Sequence, residues 1–384
     1  MKHIFFALLL TPFILHAQSD PQATPAAKQL HQRLYKLMQR GIMFGHQDDM
    51  AYGVGWKYEH GRSDVRSVCG DGPAVYGWDL GHLELGRSHN LDSVPFDSLR
   101  SYIRAVYESG GINTLSWHGN NPATGGSAWD TSLAVTAVLP GGGSNATYNA
   151  WLDKLADFML SLKAGDGTLI PVIFRPFHEH TGSWFWWGQH QCTSMEFRTL
   201  WQYTVNYLQI QKHVHNLLFA YSAADFNNEK DYLERWPGDD FVDVIGFDLY
   251  QQGSAANYQR LLQERLHVLQ EVAAAHGMIP ALTETGLERI PQATWWTQTL
   301  LPILQHYKLS YVLVWRNGHP DHYYAPYPGQ ASAEDFKKFH ANEHTLFLEE
   351  AKSIKDKAES PQPVLKEAES KKLKAESPHP KAKS

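Results

Sequence analysis

The chain has 384 residues, with 40 acidic against 34 basic side chains and a formal net charge of −6. Residues 351–384 hold nine Lys against five acidic residues. With that segment and Lys2 set aside, the body carries about −11, which excludes a nucleic-acid binder that works by charge. Aromatic residues make up 12%, thirteen of them Trp, so some rings are expected to line a cleft rather than a core.

At the N-terminus, Met1-Lys2-His3 precedes an apolar run over residues 4–15 and then a small residue, Ala17. This reads as a signal peptide of residues 1–17, and predicts export to the periplasm or the medium. The run is too short to span a bilayer comfortably, and no later stretch is long and apolar enough for a membrane span. No Cys follows it, which argues against a lipid anchor.

Residues 18–350 read as one catalytic domain. Eight short apolar runs recur, at 42–45, 74–78, 112–117, 169–174, 217–221, 242–247, 279–283 and 311–315. Near-continuous runs of this length suit strands buried on both faces of a parallel sheet. Helical stripes lie between them, such as Leu152, Leu155, Met159 and Leu162, then Leu262, Leu266, Leu269 and Ala273. Trp296, Leu300, Ile303 and Tyr307 form a third. Eight such units predict a (β/α)8 TIM barrel. An open doubly wound sheet is the alternative, but no Gly-rich phosphate loop follows the first run. From residue 351 the chain turns Lys-rich and loses its aromatics, so 351–384 is expected to be a disordered tail. The barrel layout puts Cys69 and Cys192 at opposite ends, which predicts two free thiols.

A barrel carries its chemistry at the C-terminal ends of its strands. Those ends supply His46-Gln47, Trp78-Asp79, Trp117-His118, then Arg175, His178 and Glu179, then Asp248 and Tyr250, Glu284, and Trp315-Arg316. Glu179 and Glu284 each close an apolar run, Glu179 among His and Trp. Either Glu alone would serve as a helix cap. Two of them at one mouth point instead to a glycosidase, where a buried carboxyl acts as acid and its partner as nucleophile or base. Arg175 is expected to be buried and to hold a carboxylate through paired hydrogen bonds. In strand-like alternation Trp184 and Trp186 would face one way and Phe185 and Trp187 the other, with Trp184 the sugar platform. The same alternation would point His178 and His180 together. The zincin pattern is missing, so neither metal nor organic cofactor is expected. Ser116 and Ser222 lack a nucleophile-elbow motif and read as packing residues.

The run Arg-Pro-Phe-His-Glu-His-Thr-Gly-Ser-Trp-Phe-Trp-Trp-Gly at 175–188, with Thr283-Glu-Thr-Gly286, closely resembles glycoside hydrolase family 26. Further matches are Phe44-Gly-His-Gln47, Pro73-Ala-Val-Tyr-Gly-Trp-Asp79, Trp117-His118 with Asn121-Pro122, Gly246-Phe-Asp-Leu-Tyr250 and Val314-Trp-Arg316. The resemblance implies a (β/α)8 fold and, for most characterised members, β-mannanase activity on mannans by retaining double displacement. It implies Glu179 as acid/base and Glu284 as nucleophile. It further implies substrate contacts from His118, His178, Trp184, Tyr250 and Trp315, with Arg175, Asp248, Trp117 and Arg316 in support. The family also includes β-1,3-xylanases and mixed-linkage β-glucanases. End-on release of mannobiose is a further possibility, decided by the loops at 48–72 and 120–146, the first of which would block one end of the cleft. A non-catalytic polysaccharide binder is the rival from outside the enzymes.

Overall fold

The computed structural model of the chain describes residues 18–359. Eight strands form its centre: β1 Ile42–Gln47, β2 Val75–Asp79, β3 Ile112–Trp117, β4 Val172–Pro176, β5 Leu217–Ala223, β6 Val244–Tyr250, β7 Ile279–Gly286 and β8 Tyr311–Val314. Each pairs in parallel with the next, and β8 closes on β1 through Phe44 opposite Val312 and Gly45 opposite Leu313. This is the predicted (β/α)8 barrel. Side chains alternate along the strands, apart from one break in β7. Met43, Val75, Ile112, Ile173, Leu218, Val244, Ile279 and Tyr311 fill the barrel interior, while Phe44, Phe174, Phe219, Phe247 and Leu282 pack against the surrounding helices.

Most strand ends shift by one to three residues from the sequence reading, and three differences have a local cause. β4 starts at Val172, because the Ile170 N–H bonds the Leu162 carbonyl and residues 163 and 169 pair in a tight turn. The third helical stripe is a π-helical turn, Trp296–Leu300, followed by the short helix Leu301–Leu304. Pro302 explains that break, since it offers no N–H to the turn before it. The helix Leu348–Glu359 carries ordered chain nine residues past the expected boundary at 350. Ala351 there is buried, and Arg33 donates to its carbonyl at 2.9 Å. Residues 1–17 and 360–384, with the expected signal peptide and most of the expected tail, lie outside the described residues.

Cys69 ends the helix Asp64–Cys69 ahead of β2, whereas Cys192 follows β4, and both thiols are free. Among the described residues, no helix is long and apolar enough to cross a membrane.

Candidate active site

Arg175 points into the barrel mouth from β4, on the same face as Ile173. Its guanidinium donates to Asp248 Oδ2 at 2.8 Å, to Ser222 Oγ at 3.3 Å and to Glu284 Oε1. Ser222 and Thr283 hydroxyls donate to the other Asp248 oxygen, at 3.0 and 2.7 Å. Arg175 is buried and holds carboxylates as expected, but with one bond to each of two and not paired bonds to one.

Glu284 reaches the mouth through an irregularity. Leu282 sits opposite Phe247, but Glu284 rather than Thr283 sits opposite Asp248. The register to β8 slips at the same place, from Val312–Leu282 to Val314–Thr285. One extra residue on β7 is a β-bulge, which re-aims the side chains after it. Strict alternation would send Glu284 outward with Leu282; the bulge turns it in beside Thr283. Gly246 makes the room, for a Cβ there would stand 2.6 Å from Thr283 Cγ2. Tyr250 then donates to Glu284 Oε2 at 2.6 Å.

Glu179 lies just beyond β4, in a turn where Phe177 and Glu179 both adopt left-handed backbone, with φ of 50° and 54°. Its N–H donates to the Ser222 carbonyl at 2.9 Å, and Trp184 Nε1 donates to Oε2 at 2.7 Å. One carboxylate oxygen from each of Glu179, Asp248 and Glu284 lies within 4.8 Å of the other two. Burial, and then the charges of Asp248 and Glu284, push the Glu179 carboxyl up to about 8. Burial and Asp248 also raise Glu284, to about 7, against the pull of Arg175 and Tyr250. Glu284 has two donors, one of them a cation, so it ionises before Glu179. The resting proton of the pair therefore sits on Glu179.

His118 and His178 form the adjoining wall, Nε2 to Nε2 at 3.1 Å. Asp79 accepts from His118 Nδ1 at 2.7 Å. Burial works against a charge on either partner. It is outweighed: His118 and the donors around Asp79 hold that carboxyl below its usual range, and Asp79 holds His118 above its own. Burial, Arg175 and His118 keep His178 well below, so it stays neutral beside His118. His180 does not join them. It packs between Phe197 and Tyr221, because residues 177–181 form turns and not a strand. The same correction applies to the Trp cluster: Phe185, Trp186 and Trp187 are all buried, and Trp184 alone is exposed, at 44%.

Trp315 completes the wall, its ring 6.3 Å from His118. Trp117 lies outside it, stacked on Tyr148 and donating to Glu84 at 3.1 Å. Arg316 pairs with Asp92 at 2.9 Å and approaches the Tyr52 hydroxyl at 3.4 Å. The sequence reading gave no role to three residues of the site. Asp79 stood at a strand end but without a visible partner. Thr283 is recognisable only through the bulge. Trp129, 48% exposed, stacks on His118 at 5.2 Å from a loop that carries no periodic signal.

A half-buried carboxyl, Glu179, and a buried one, Glu284, face each other at the mouth of a parallel (β/α)8 barrel, flanked by exposed indole rings, the arrangement that paired-carboxylate glycosidases use. The profile of glycosyl hydrolase family 26 matches residues 19–317, and the chain belongs to that family. A mannan endo-1,4-β-mannosidase from Bifidobacterium adolescentis is 37% identical over 282 residues, covering 70% of this chain and 28% of that protein. One from Bacillus subtilis is 29% identical over 199 residues, covering 49% and 53%. The chain thus spans between about a quarter and a half of these relatives. Among solved structures, a family 26 β-mannanase from Bacteroides ovatus superposes with a TM-score of 0.83 at 51% identity, covering 85% of this chain and 96% of that one. An endo-β-1,4-mannanase from Cellulomonas fimi gives 0.79 at 35%, covering 87% and 78%.

A reaction that draws a proton from Glu179 is lost as pH rises through about 8. The Trp184 indole N–H favours the charged carboxylate, so Trp184→Phe is predicted to move this alkaline limb upward by about one pH unit. The pH dependence of kcat/KM checks it; a limb that stays put or falls contradicts the assigned contact.

Proposed function

We propose that this chain is a retaining β-mannanase that hydrolyses β-1,4-mannosidic bonds in mannans, galactomannans or glucomannans. One observation carries the mechanism: Glu179 and Glu284 present carboxylate oxygens within 4.8 Å of each other, the first accepting from Trp184 and the second gripped by Arg175 and Tyr250. A separation this short favours retention, since inversion needs room for a water between the two carboxyls.

In the first step a Glu284 oxygen attacks the anomeric carbon, and the glycosidic C–O bond breaks as Glu179 gives its proton to the departing oxygen. In the second, Glu179 takes a proton from water, whose oxygen displaces Glu284 and frees the sugar. Trp184 and Trp315 serve as stacking faces for sugar rings beside the cleavage point, and His118 and His178, whose facing nitrogens are paired with each other, as the wall that the sugar contacts. The names of the relatives support mannan as the substrate. The N-terminal pattern over residues 1–17 supports export to the periplasm or the medium.

A second reading, release of mannobiose from chain ends, draws support from the loops beside Trp315. Tyr58 of the 48–72 loop donates to the Ser93 carbonyl at 2.6 Å, Tyr52 to Asp48 at 2.5 Å, and Arg316 bridges to Asp92. These contacts gather three loops at one end of the cleft, as an end-blocking wall requires.

Glu284→Ala is expected to lower kcat by about 10⁴-fold or more while oligomannoside binding stays within a few-fold. Near wild-type turnover would exclude Glu284 as nucleophile, and also leave the polysaccharide-binder reading unsupported. Products from galactomannan, with β-1,3-xylan and mixed-linkage glucan alongside, decide the rest. Mixed manno-oligosaccharides indicate internal cleavage, and mannobiose alone from the start indicates end-on release. Cleavage of another glycan only would overturn the substrate. Proton NMR of the first product should show the β-anomer; an α-anomer formed first would mean inversion.

A further inference from the structure

Glu179 stands on unfavourable backbone, and its neighbours hold it there. Non-glycine residues at positive φ cost roughly 1–2 kcal/mol each, and persist only where their surroundings over-determine them. Three successive carbonyls around Glu179 are each bound. That of His178 accepts from Trp187 Nε1 at 2.8 Å, that of Glu179 from the Gly182 N–H at 2.8 Å, and that of His180 from Arg235 at 3.0 Å.

Arg235 comes from a different unit of the barrel, just past the helix Glu229–Leu233 that follows β5. Only 3% exposed, it reaches both ends of the acid/base loop. Nη1 donates to the carbonyls of His180 and Trp187, at 3.0 and 2.9 Å. Nη2 donates to the carbonyls of Gly188 and Cys192, at 3.3 and 2.7 Å, and to Cys192 Sγ at 3.1 Å. Its guanidinium lies 4.6 Å over the Phe197 ring. Among the described residues no carboxylate hydrogen-bonds this cation; loop carbonyl dipoles and an aromatic face take the place of a counter-ion. A planar fork with fixed donors suits this work, and a point charge on a flexible stem does not.

We propose that Arg235 is a positioning residue for general acid/base catalysis. It pins the 180–192 loop so that Glu179, at the strained turn, and Trp184, hydrogen-bonded to it, keep their place against the scissile oxygen. The inference rests on the proposed role of Glu179 as the acid.

The test compares kcat/KM on a manno-oligosaccharide, whose leaving group needs a proton, with that on a dinitrophenyl β-mannobioside, whose leaving group does not. Glu179→Ala, Arg235→Met and Arg235→Lys are measured together, with thermal melts to confirm folding. Arg235→Met is expected to lose roughly 10- to 100-fold on the oligosaccharide, as a misplaced catalytic group does, and less than about 3-fold on the activated substrate. Arg235→Lys should fall between it and the wild type, because one ammonium cannot serve four carbonyls. Equal losses on both substrates, or none, in a folded variant would overturn the inference. Should Arg235→Met fail to fold, the ratio for Arg235→Lys decides alone: shifted toward the Glu179→Ala pattern supports it, unshifted refutes it. If Glu179→Ala itself shows no difference between substrates, the acid assignment fails first.

Discussion

A guanidinium buried at the barrel axis sets the terms for everything around it. Arg175 is desolvated, and a buried cation without partners costs several kcal/mol even after relaxation. Asp248 and Glu284 supply the partners, and Ser222, Thr283 and Tyr250 satisfy oxygens that Arg175 does not reach. Glu179 is the third carboxylate of the group and has no hydrogen bond from Arg175; among the described residues its carboxylate accepts from the Trp184 indole alone. Three negative charges around one positive charge, away from water, are relieved most readily by neutralising the carboxyl farthest from the cation. Hydrogen bonding to Arg175 thus sorts the two glutamates into one that holds a proton and one that does not.

This sorting depends on where the chain delivers each side chain. Arg175 follows from parity, two residues after inward-facing Ile173 on an ordinary strand. Glu284 does not, because parity alone would bury it against the helices, and only the bulge at Thr283 brings it to the axis. Gly246 on the neighbouring strand admits that bulge. Glu179 stands beyond the strand on positive-φ backbone, a geometry that a general acid at a rigid strand position would not require. Site precision here comes from one regular position, one bulge and one strained turn, each fixed by different contacts.

The barrel was legible because its signal is redundant. Eight apolar runs repeat, and losing one to a boundary error, as at residues 169–171, leaves the pattern intact. Both glutamates were legible too, since each closes such a run. What failed was period-two alternation applied past the end of a strand. The residues from His178 to Trp187 contain strand-like composition, yet they fold into turns, so His180 and Trp186 went to the core. Nothing local marks this, because the turns are imposed by partners distant in sequence. Asp79 binding His118 and Trp129 stacking on it were hidden for the same reason: each contact joins separate strands or loops.

The proximity of the two glutamates has a consequence for the second half of the proposed reaction. Part of what raises the Glu179 carboxyl is the charge of Glu284 beside it. Once Glu284 forms an ester with the sugar, that charge is gone, and the upward push on Glu179 weakens with it. The carboxyl that had to be protonated to release the leaving group then gives up its proton more readily, which is what deprotonating water demands. Breaking the ester restores the charge of Glu284, and with it the affinity of Glu179 for the proton it has just taken. Asp248 supplies a constant background through both steps, since its bonds to Arg175, Ser222 and Thr283 involve no group that changes charge. In the proposed reaction, a carboxyl held this close to another can thus serve as acid in one step and base in the next through the change in its neighbour's charge.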